Sequence, residues 1–236
     1  MKLSVVIPMY NESKIIEATA RELSAYMESV FDDYEILFCD DGSKDGCGEL
    51  VSALGLPNVS VVGYGENRGK GCAVRHGMLE AKGDVRIFTD ADLAYGTEVI
   101  KSAYDIMCEN RELDMLIGSR NIGKDGYEGY TLLRKIMSKT YIKVLCITGG
   151  FKLSDSQCGF KAFRGETAED IFSKCRVNGF AFDFEAILYA TKLEKQIGEM
   201  PVKIINHRES SVRPIKDTLK MLGDLRKIKK DVKNSD

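Results

Sequence analysis

The chain has 236 residues, 44% of them hydrophobic and 30% charged, a composition typical of a globular protein. Its formal net charge of -2 argues against a protein built mainly to bind nucleic acid. The seven cysteines form no CxxC pair, which indicates core-filling thiols in a reducing compartment and no zinc site. We expect no signal peptide and no membrane span, since no apolar run approaches the roughly 20 residues that cross a bilayer.

The first half of the chain alternates short apolar segments with helical patterns. The predicted strands cover residues 3–8, 34–39, 59–63, 85–89 and 115–118. Apolar positions at helical spacing predict a helix from Ile15 to Val30, with Asn11 and Ser13 as its capping residues. Further helices are predicted at about 46–54, 70–82 and 97–110. This alternation indicates an α/β fold whose central sheet is mostly parallel and flanked by helices.

The pattern changes after about residue 120. Helices are predicted at 131–147 and 183–195, followed by a strand at about 200–205. The chain from Pro214 onward is predicted to be helical and basic. We find no internal repeat and no obvious linker, so we expect one domain with a C-terminal elaboration.

Polar clusters follow four of the predicted strands, where an open α/β sheet binds its ligands. They are 8–12 (Pro-Met-Tyr-Asn-Glu), 40–46 (Asp-Asp-Gly-Ser-Lys-Asp-Gly), 67–71 (Asn-Arg-Gly-Lys-Gly) and 90–92 (Asp-Ala-Asp). Each cluster alone is compatible with an ordinary turn or helix cap. Carboxylates that converge on one edge repel each other unless a cation stands among them, and Mg²⁺ or Mn²⁺ bridging a diphosphate meets that need. Neither GxxxxGKS/T nor GxGxxG occurs at the expected place.

In this order the four clusters resemble family 2 glycosyltransferases of the GT-A fold. Within that family the chain is most similar to the polyprenyl-phosphate glycosyltransferases, which include dolichol-phosphate mannose and glucose synthases. The resemblance extends from about residue 3 to 212. It implies a GT-A nucleotide-diphospho-sugar transferase domain over residues 1–212, followed by a basic C-terminal helix or tail over 213–236.

The resemblance also implies site residues, carried over motif by motif. Those expected to bind the nucleotide-sugar are Pro8, Tyr10, Glu12, Asp40, Asp41, Lys70, Asp90 and Arg208. Those expected to receive the acceptor phosphate are Arg120, Arg134, Ser138 and Gln157. Asp90 and Asp92 match the metal pair, and with Arg120 and Arg134 they form the expected catalytic set. The segment 94–96 departs from many relatives, which leaves open whether a further side-chain metal ligand follows Asp92.

The expected reaction is inverting, metal-dependent transfer of a sugar to a polyprenyl phosphate, either dolichyl or undecaprenyl. A phosphate monoester is already anionic near neutral pH, so its oxygen needs no catalytic base. The segment 157–161 (Gln-Cys-Gly-Phe-Lys) resembles glucose synthases and favours UDP-glucose, with GDP-mannose as the other donor. Two alternatives stay open: transfer to a glycan or protein hydroxyl, with Asp155 as general base, and a non-catalytic subunit that binds nucleotide-sugars.

Two basic segments predict peripheral binding to the cytosolic face of a membrane. Residues 130–153 contain five basic residues and no acidic one, interleaved with apolar positions at helical spacing. Residues 213–233 contain eight basic and three acidic residues. A core-packed helix with a solvated basic face is the alternative. Without a membrane span of its own, the protein is expected to work with a separate membrane partner that moves the product across the bilayer.

Overall fold

Seven strands form one sheet in the computed structural model, which describes residues 1–123, 126, 132–206 and 225–235, without the side chains of 132–134. The strands are β1 (Leu3–Met9), β2 (Tyr34–Asp40), β3 (Val59–Gly63), β4 (Val85–Phe88), β5 (Met115–Ser119), β6 (Lys161–Arg164) and β7 (Ile197–Pro201). Their order across the sheet is β3-β2-β1-β4-β6-β5-β7. Only β6 runs antiparallel to its neighbours among these strands, so the sheet is mostly parallel.

Helices cover both faces of this sheet. They are α1 (Ile16–Val30), α2 (Cys47–Ala53), α3 (Lys70–Glu80), α4 (Glu98–Glu109), α5 (Leu132–Gly149), α6 (Gly165–Phe172) and α7 (Phe182–Lys192). Residues 225–234 form a further helix, here called the C-terminal helix. No helix in the described part of the chain is both long enough and apolar enough to cross a membrane.

The side chains of β1 alternate between two hydrophobic cores, as expected of a strand buried on both faces. Val5 and Ile7 face the core that contains α1, α2 and α4. Val6 faces the second core, which contains α3, α6, α7 and the apolar side of the C-terminal helix. The continuous apolar run of β1 therefore reflects burial on both sides, and the predicted α/β class is confirmed.

Two local predictions are wrong. Asn11 does not cap α1, because its side chain accepts a hydrogen bond from the Lys44 amide at 2.9 Å, and no side-chain cap bond precedes Ile16. The strand predicted at 200–205 lies earlier, at Ile197–Pro201. Val202 and Ile204 are both buried in the first core, and this burial at every second residue gives the segment the sequence pattern of a strand. There the backbone leaves the sheet, and the Ile205 amide donates to the Ala94 carbonyl at 2.8 Å.

Helix α3 packs unusually close to the centre of the sheet at Gly77. A β-carbon placed at Gly77 would lie 2.4 Å from Cγ1 of Val6, far inside van der Waals contact. The absent side chain therefore lets α3, which begins at Lys70, approach β1.

We expect Gly77→Val to lower the free energy of unfolding by about 1–3 kcal/mol, because the new side chain overpacks against Val6. Urea unfolding followed by circular dichroism measures this change. Gly65→Val is the matched control, since no atom lies within 4 Å of a β-carbon built at Gly65. Equal destabilisation by both substitutions would contradict the close approach of α3.

Candidate active site

The polar clusters predicted to converge lie at one edge of the sheet. Met9 at the end of β1 pairs with Asp40 at the end of β2, and Phe88 at the end of β4 pairs with Lys161 at the start of the antiparallel β6. Arg120 follows the end of β5 directly. The carboxyl ends of four parallel strands and the first residue of β6 therefore surround one region.

The first two strands present a mixture of buried and accessible groups at this edge. Pro8 is buried within β1, whereas Tyr10, directly beyond the strand, is 43% exposed, and Glu12 is half-buried. The half-buried Asp40 accepts a hydrogen bond from the Ser43 amide at 2.9 Å. The accessible ring of Tyr10 and the carboxylate of Asp40 are thus placed where a ligand at this edge can reach them.

Asp41 is buried, and its carboxylate holds the loop that follows β3. It accepts hydrogen bonds from the Tyr64 hydroxyl at 2.7 Å and from the Asn67 side-chain amide at 2.9 Å. The backbone amides of Arg68 and Gly69 also donate to it, each at 2.9 Å. In this structure Asp41 therefore supports the segment 64–69 from beneath.

The start of α3 is braced from two sides. Gly69 has φ +107° and its amide is bound to Asp41, while a β-carbon at this position would lie 2.5 Å from the Asn178 carbonyl oxygen. The Gly71 amide donates to that same carbonyl at 2.8 Å. The backbone on both sides of Lys70 is therefore held in place, and only glycine permits this approach at 69 and 71.

Lys70 and Asp90 form an ion pair at the centre of the edge. The distance from Lys70 Nζ to Asp90 Oδ1 is 2.5 Å, and both side chains are about 30% exposed (27% and 31%). Burial alone would lower the pKa of Lys70, but the charge and the hydrogen bond of Asp90 outweigh it and raise that pKa. The other Asp90 oxygen lies against Gly159, where a β-carbon would be 2.1 Å away.

The carboxylates of Asp90 and Asp92 suit a divalent metal that is shared with a substrate. Both side chains are half-buried at the end of β4, and Asp92 also accepts a hydrogen bond from the Ala94 amide at 3.1 Å. Among the described residues, no group of three or more acidic, His or Cys side chains converges as a metal site. Mg²⁺ commonly takes one or two carboxylates and completes its shell with water and phosphate oxygens, which this pair fits.

A second ion pair lies behind the first. Lys161 is fully buried, and its Nζ donates to Asp183 Oδ1 at 2.5 Å and to the Cys158 carbonyl at 2.7 Å. Burial raises the pKa of Asp183, while the Lys161 ammonium opposes that shift. Asp183 stands in the first turn of α7 and acts electrostatically on both Lys70 and Asp90.

A third pair connects β5 to the segment before β6. Arg120 donates from Nε and Nη2 to the two oxygens of Asp155, at 2.6 and 2.9 Å, and its side chain is 11% exposed. Asp155 is fully buried, and its backbone amide donates to Glu199 on β7 at 3.1 Å. The guanidinium is therefore oriented by a carboxylate that both burial and bidentate pairing keep in place.

The remaining predicted acceptor residues are less completely described. Ser138 is half-buried on α5. Gln157 is also half-buried, and its backbone amide donates to Asp155 at 3.2 Å. Arg134 belongs to α5, but its side chain lies outside the described residues, as does all of Arg208. The structure thus brings Arg120 and Gln157 together around Asp155.

The chain matches the family model described as glycosyl transferase family 2 over residues 4–172. The chain belongs to glycosyltransferase family 2. Dolichyl-phosphate beta-glucosyltransferase from Dictyostelium discoideum is 31% identical to it, over 96% of this chain and 73% of that protein. The protein of the same name from Homo sapiens is 30% identical, over 95% of this chain and 74% of that protein. The predicted resemblance is confirmed, and this family 2 member is a glycosyltransferase.

Solved structures confirm the GT-A fold of this family 2 member. Glucosyl-3-phosphoglycerate synthase from Mycobacterium tuberculosis, in complex with Mn²⁺, uridine diphosphate and phosphoglyceric acid, superposes with a TM-score of 0.74. That match covers 100% of this chain and 80% of the other, at 17% identity. Mannosyl-3-phosphoglycerate synthase from Rubrobacter xylanophilus gives a TM-score of 0.73, also at 17% identity, with 100% and 76% covered.

Several residues that organise the site were not assigned a role from sequence. Glu199 accepts hydrogen bonds from the Ser154 amide and hydroxyl, and Glu185 accepts from the Arg176 and Val177 amides. Glu185 lies in the first turn of α7, as Asp183 does. No local sequence pattern pointed to Glu199, because its hydrogen bonds depend on the pairing of β7 with β5.

We expect Asp41→Asn to lower the free energy of unfolding by about 1–3 kcal/mol, because an amide cannot accept from all the donors that surround Asp41. Hydrogen exchange of the Arg68 and Gly69 amides should accelerate at the same time. Asp32→Asn, at an exposed position, serves as the control for the charge change. Unchanged exchange at these two amides would contradict the role of Asp41 in holding the loop.

Proposed function

We propose that this protein transfers a sugar from a nucleotide-sugar to a polyprenyl phosphate, with inversion at the sugar carbon. UDP-glucose is the favoured donor, with GDP-mannose as the other candidate, and the lipid is a dolichyl or undecaprenyl phosphate. The names of the relatives that match along nearly the whole chain support a glucosyl donor and a lipid phosphate acceptor.

The observation that carries this proposal is that Asp155 is buried and paired with Arg120. A hydroxyl acceptor requires a general base within reach of its proton. Asp155, the carboxylate proposed for that task, is fully buried, and both of its oxygens accept from Arg120. A phosphate acceptor needs no such base, since its oxygen is already anionic, and it uses the same Arg120 as a binding group.

The donor is proposed to bind across the ends of β1, β2 and β4. Pro8, Tyr10, Glu12 and Asp40 would line the nucleoside pocket, and the predicted Arg208 would reach its phosphates. Asp90 and Asp92 would hold Mg²⁺ or Mn²⁺, which when bound neutralises the leaving diphosphate. Structural relatives of the same fold were crystallised with Mn²⁺ or Mg²⁺ and uridine diphosphate.

The acceptor phosphate is proposed to lie beside Arg120, near Ser138 and Gln157, with Arg134 from the start of α5. The positive charges of Arg120 and Arg134 would attract the acceptor phosphate towards the sugar carbon, and the pairing with Asp155 fixes the position of the Arg120 guanidinium. The chain therefore contributes positioning and charge compensation between two anionic substrates.

Asp92→Ala should reduce the release of nucleoside diphosphate by roughly 100-fold or more, because half of the carboxylate pair that neutralises the leaving group is lost. The assay uses a panel of sugar nucleotides with Mn²⁺, with and without a short polyprenyl phosphate. Asp105→Ala, which removes a carboxylate of the surface pair with Lys101, is the control. Turnover in the wild type that does not require the lipid phosphate would contradict the proposed acceptor.

A membrane-facing surface is proposed along α5. Ile136, Val144 and Ile147 are 54%, 36% and 72% exposed on this helix, next to the exposed Lys139 and Lys143. Exposed apolar side chains beside lysines suit the headgroup region of an anionic bilayer.

A groove beside α5 continues this surface towards the acceptor region. It has a volume of about 860 Å³, and its described lining includes three lysines and no acidic residue. Its lining also includes Asn121, one residue beyond Arg120, and Ser154, one residue before Asp155. Two of its lining residues are therefore chain neighbours of the proposed phosphate site.

The C-terminal helix extends the same surface. Leu225, Ile228 and Val232 are buried, whereas its basic residues are exposed, namely Arg226, Lys227, Lys229, Lys230 and Lys233. The Lys229 ammonium donates to the Thr148 carbonyl near the end of α5 at 2.6 Å. The two basic helices thus lie side by side.

Replacing Lys139, Lys143, Lys227 and Lys230 by Gln should weaken binding to anionic vesicles by roughly 100-fold or more, since each basic residue near the surface contributes about 1 kcal/mol. Vesicle sedimentation at physiological ionic strength measures the partition. The matched control replaces Lys14, Arg21, Lys82 and Arg111, which are exposed elsewhere, by Gln. Equal binding of the two variants would contradict the proposed surface.

A further inference from the structure

The two carboxylate oxygens of Asp90 differ in their main neighbour. Oδ2 lies nearer to Gly159, where a β-carbon would be 2.1 Å from Oδ2 and 3.2 Å from Oδ1. Oδ1 accepts a hydrogen bond from the Lys70 ammonium at 2.5 Å. A cation that binds Asp90 through Oδ1 therefore meets Lys70 at that oxygen.

The backbone of Lys70 cannot move away, although its side chain can. Its two neighbours are held, Gly69 by the carboxylate of Asp41 and Gly71 by the carbonyl of Asn178. The ammonium is carried on a flexible four-carbon stem and is 27% exposed. A change of side-chain rotamer can thus take the ammonium away from Asp90 while the backbone stays in place.

The charges around Lys70 explain why the ammonium lies where it does. Asp90, Asp92 and Asp183 all act on it electrostatically, and each favours its charged form. Lys161 is fully buried and committed to Asp183, so it compensates only that carboxylate. Lys70 is therefore a partly exposed cation beside Asp90 and Asp92.

We propose that Lys70 is a counter-ion of Asp90 that competes with the metal. When the metal binds, the Lys70 ammonium leaves Asp90 and moves to the donor diphosphate. This inference rests on the proposed function, since it assumes a divalent metal at Asp90 and Asp92 and a diphosphate beside them. A divalent ion and an ammonium on the same carboxylate oxygen repel each other. Metal binding by itself must break the ion pair, whereas a diphosphate offers the displaced ammonium new anionic partners.

Metal and nucleotide should then bind cooperatively. Each ligand lowers the free energy of binding the other, and the coupling is reciprocal by thermodynamic linkage. Lys70 carries part of this coupling because its ion pair opposes the metal alone and its ammonium favours the diphosphate. Removing the ammonium should therefore strengthen the binding of metal by itself, while it weakens the cooperation between the two ligands.

The experiment measures the affinity for Mn²⁺ by electron paramagnetic resonance, with and without saturating UDP, or GDP if UDP does not bind. Lys70→Met and Lys70→Gln both remove the charge and keep most of the side-chain length. We expect each variant to bind Mn²⁺ alone roughly 10-fold more tightly than the wild type, and to show a smaller tightening by the nucleotide. Lys101→Met is the matched control, since it removes one lysine charge from the surface pair with Asp105.

Asp90→Asn shows whether the measured ion binds at this carboxylate, because that substitution should abolish tight binding of Mn²⁺. The inference is overturned if both Lys70 variants bind Mn²⁺ no more tightly than Lys101→Met, or if the nucleotide tightens Mn²⁺ equally in all of them. If the wild type binds both ligands with Asp90-dependent affinity in that case, the proposed function stands without the counter-ion. No binding of Mn²⁺ with nucleotide in the wild type would overturn both.

Discussion

Compensation of negative charge at one edge of the sheet is the constraint on which the rest of the site depends. Parallel strands bring the acidic residues that follow them to the same place, where they repel each other. Three ion pairs relieve this repulsion, namely Lys70 with Asp90, Lys161 with Asp183 and Arg120 with Asp155. The side chains of the first pair are about 30% exposed, whereas those of the second and third are almost fully enclosed. The first pair can therefore change partners, whereas the other two hold neighbouring segments in place.

The supporting groups act mainly through backbone amides. Asp41 binds the Arg68 and Gly69 amides, Glu185 binds those of Arg176 and Val177, and Glu199 binds those of Ser154 and Asp155. Hydrogen bonds to a charged acceptor are stronger than neutral ones, so each carboxylate can hold a loop that has no regular structure of its own. The site is therefore built on loops that carboxylates hold through their backbone amides.

The proposed donor and acceptor sites occupy two halves of the same sheet edge. The ends of β1, β2 and β4 form the proposed donor side, whereas β5, α5 and the segment before β6 form the proposed acceptor side. The antiparallel strand β6 lies between β4 and β5, and the segment before it places Gly159 next to Asp90 and Asp155 beside Arg120. The proposed donor and acceptor sides therefore meet at one edge of the sheet.

The sequence by itself determined most elements of the first half of the chain and the edge at which the polar clusters meet. It also indicated the family, because hydrophobic periodicity and short motifs are local properties of the chain. Only the tertiary structure decided which charges pair, since Arg120 and Asp155 are 35 residues apart and meet through strand order. It likewise showed that Asp41 binds the backbone of the loop after β3, that Asn11 binds Lys44 instead of capping α1, and that β6 runs antiparallel to its neighbours. These features depend on contacts between distant segments, which no local pattern records.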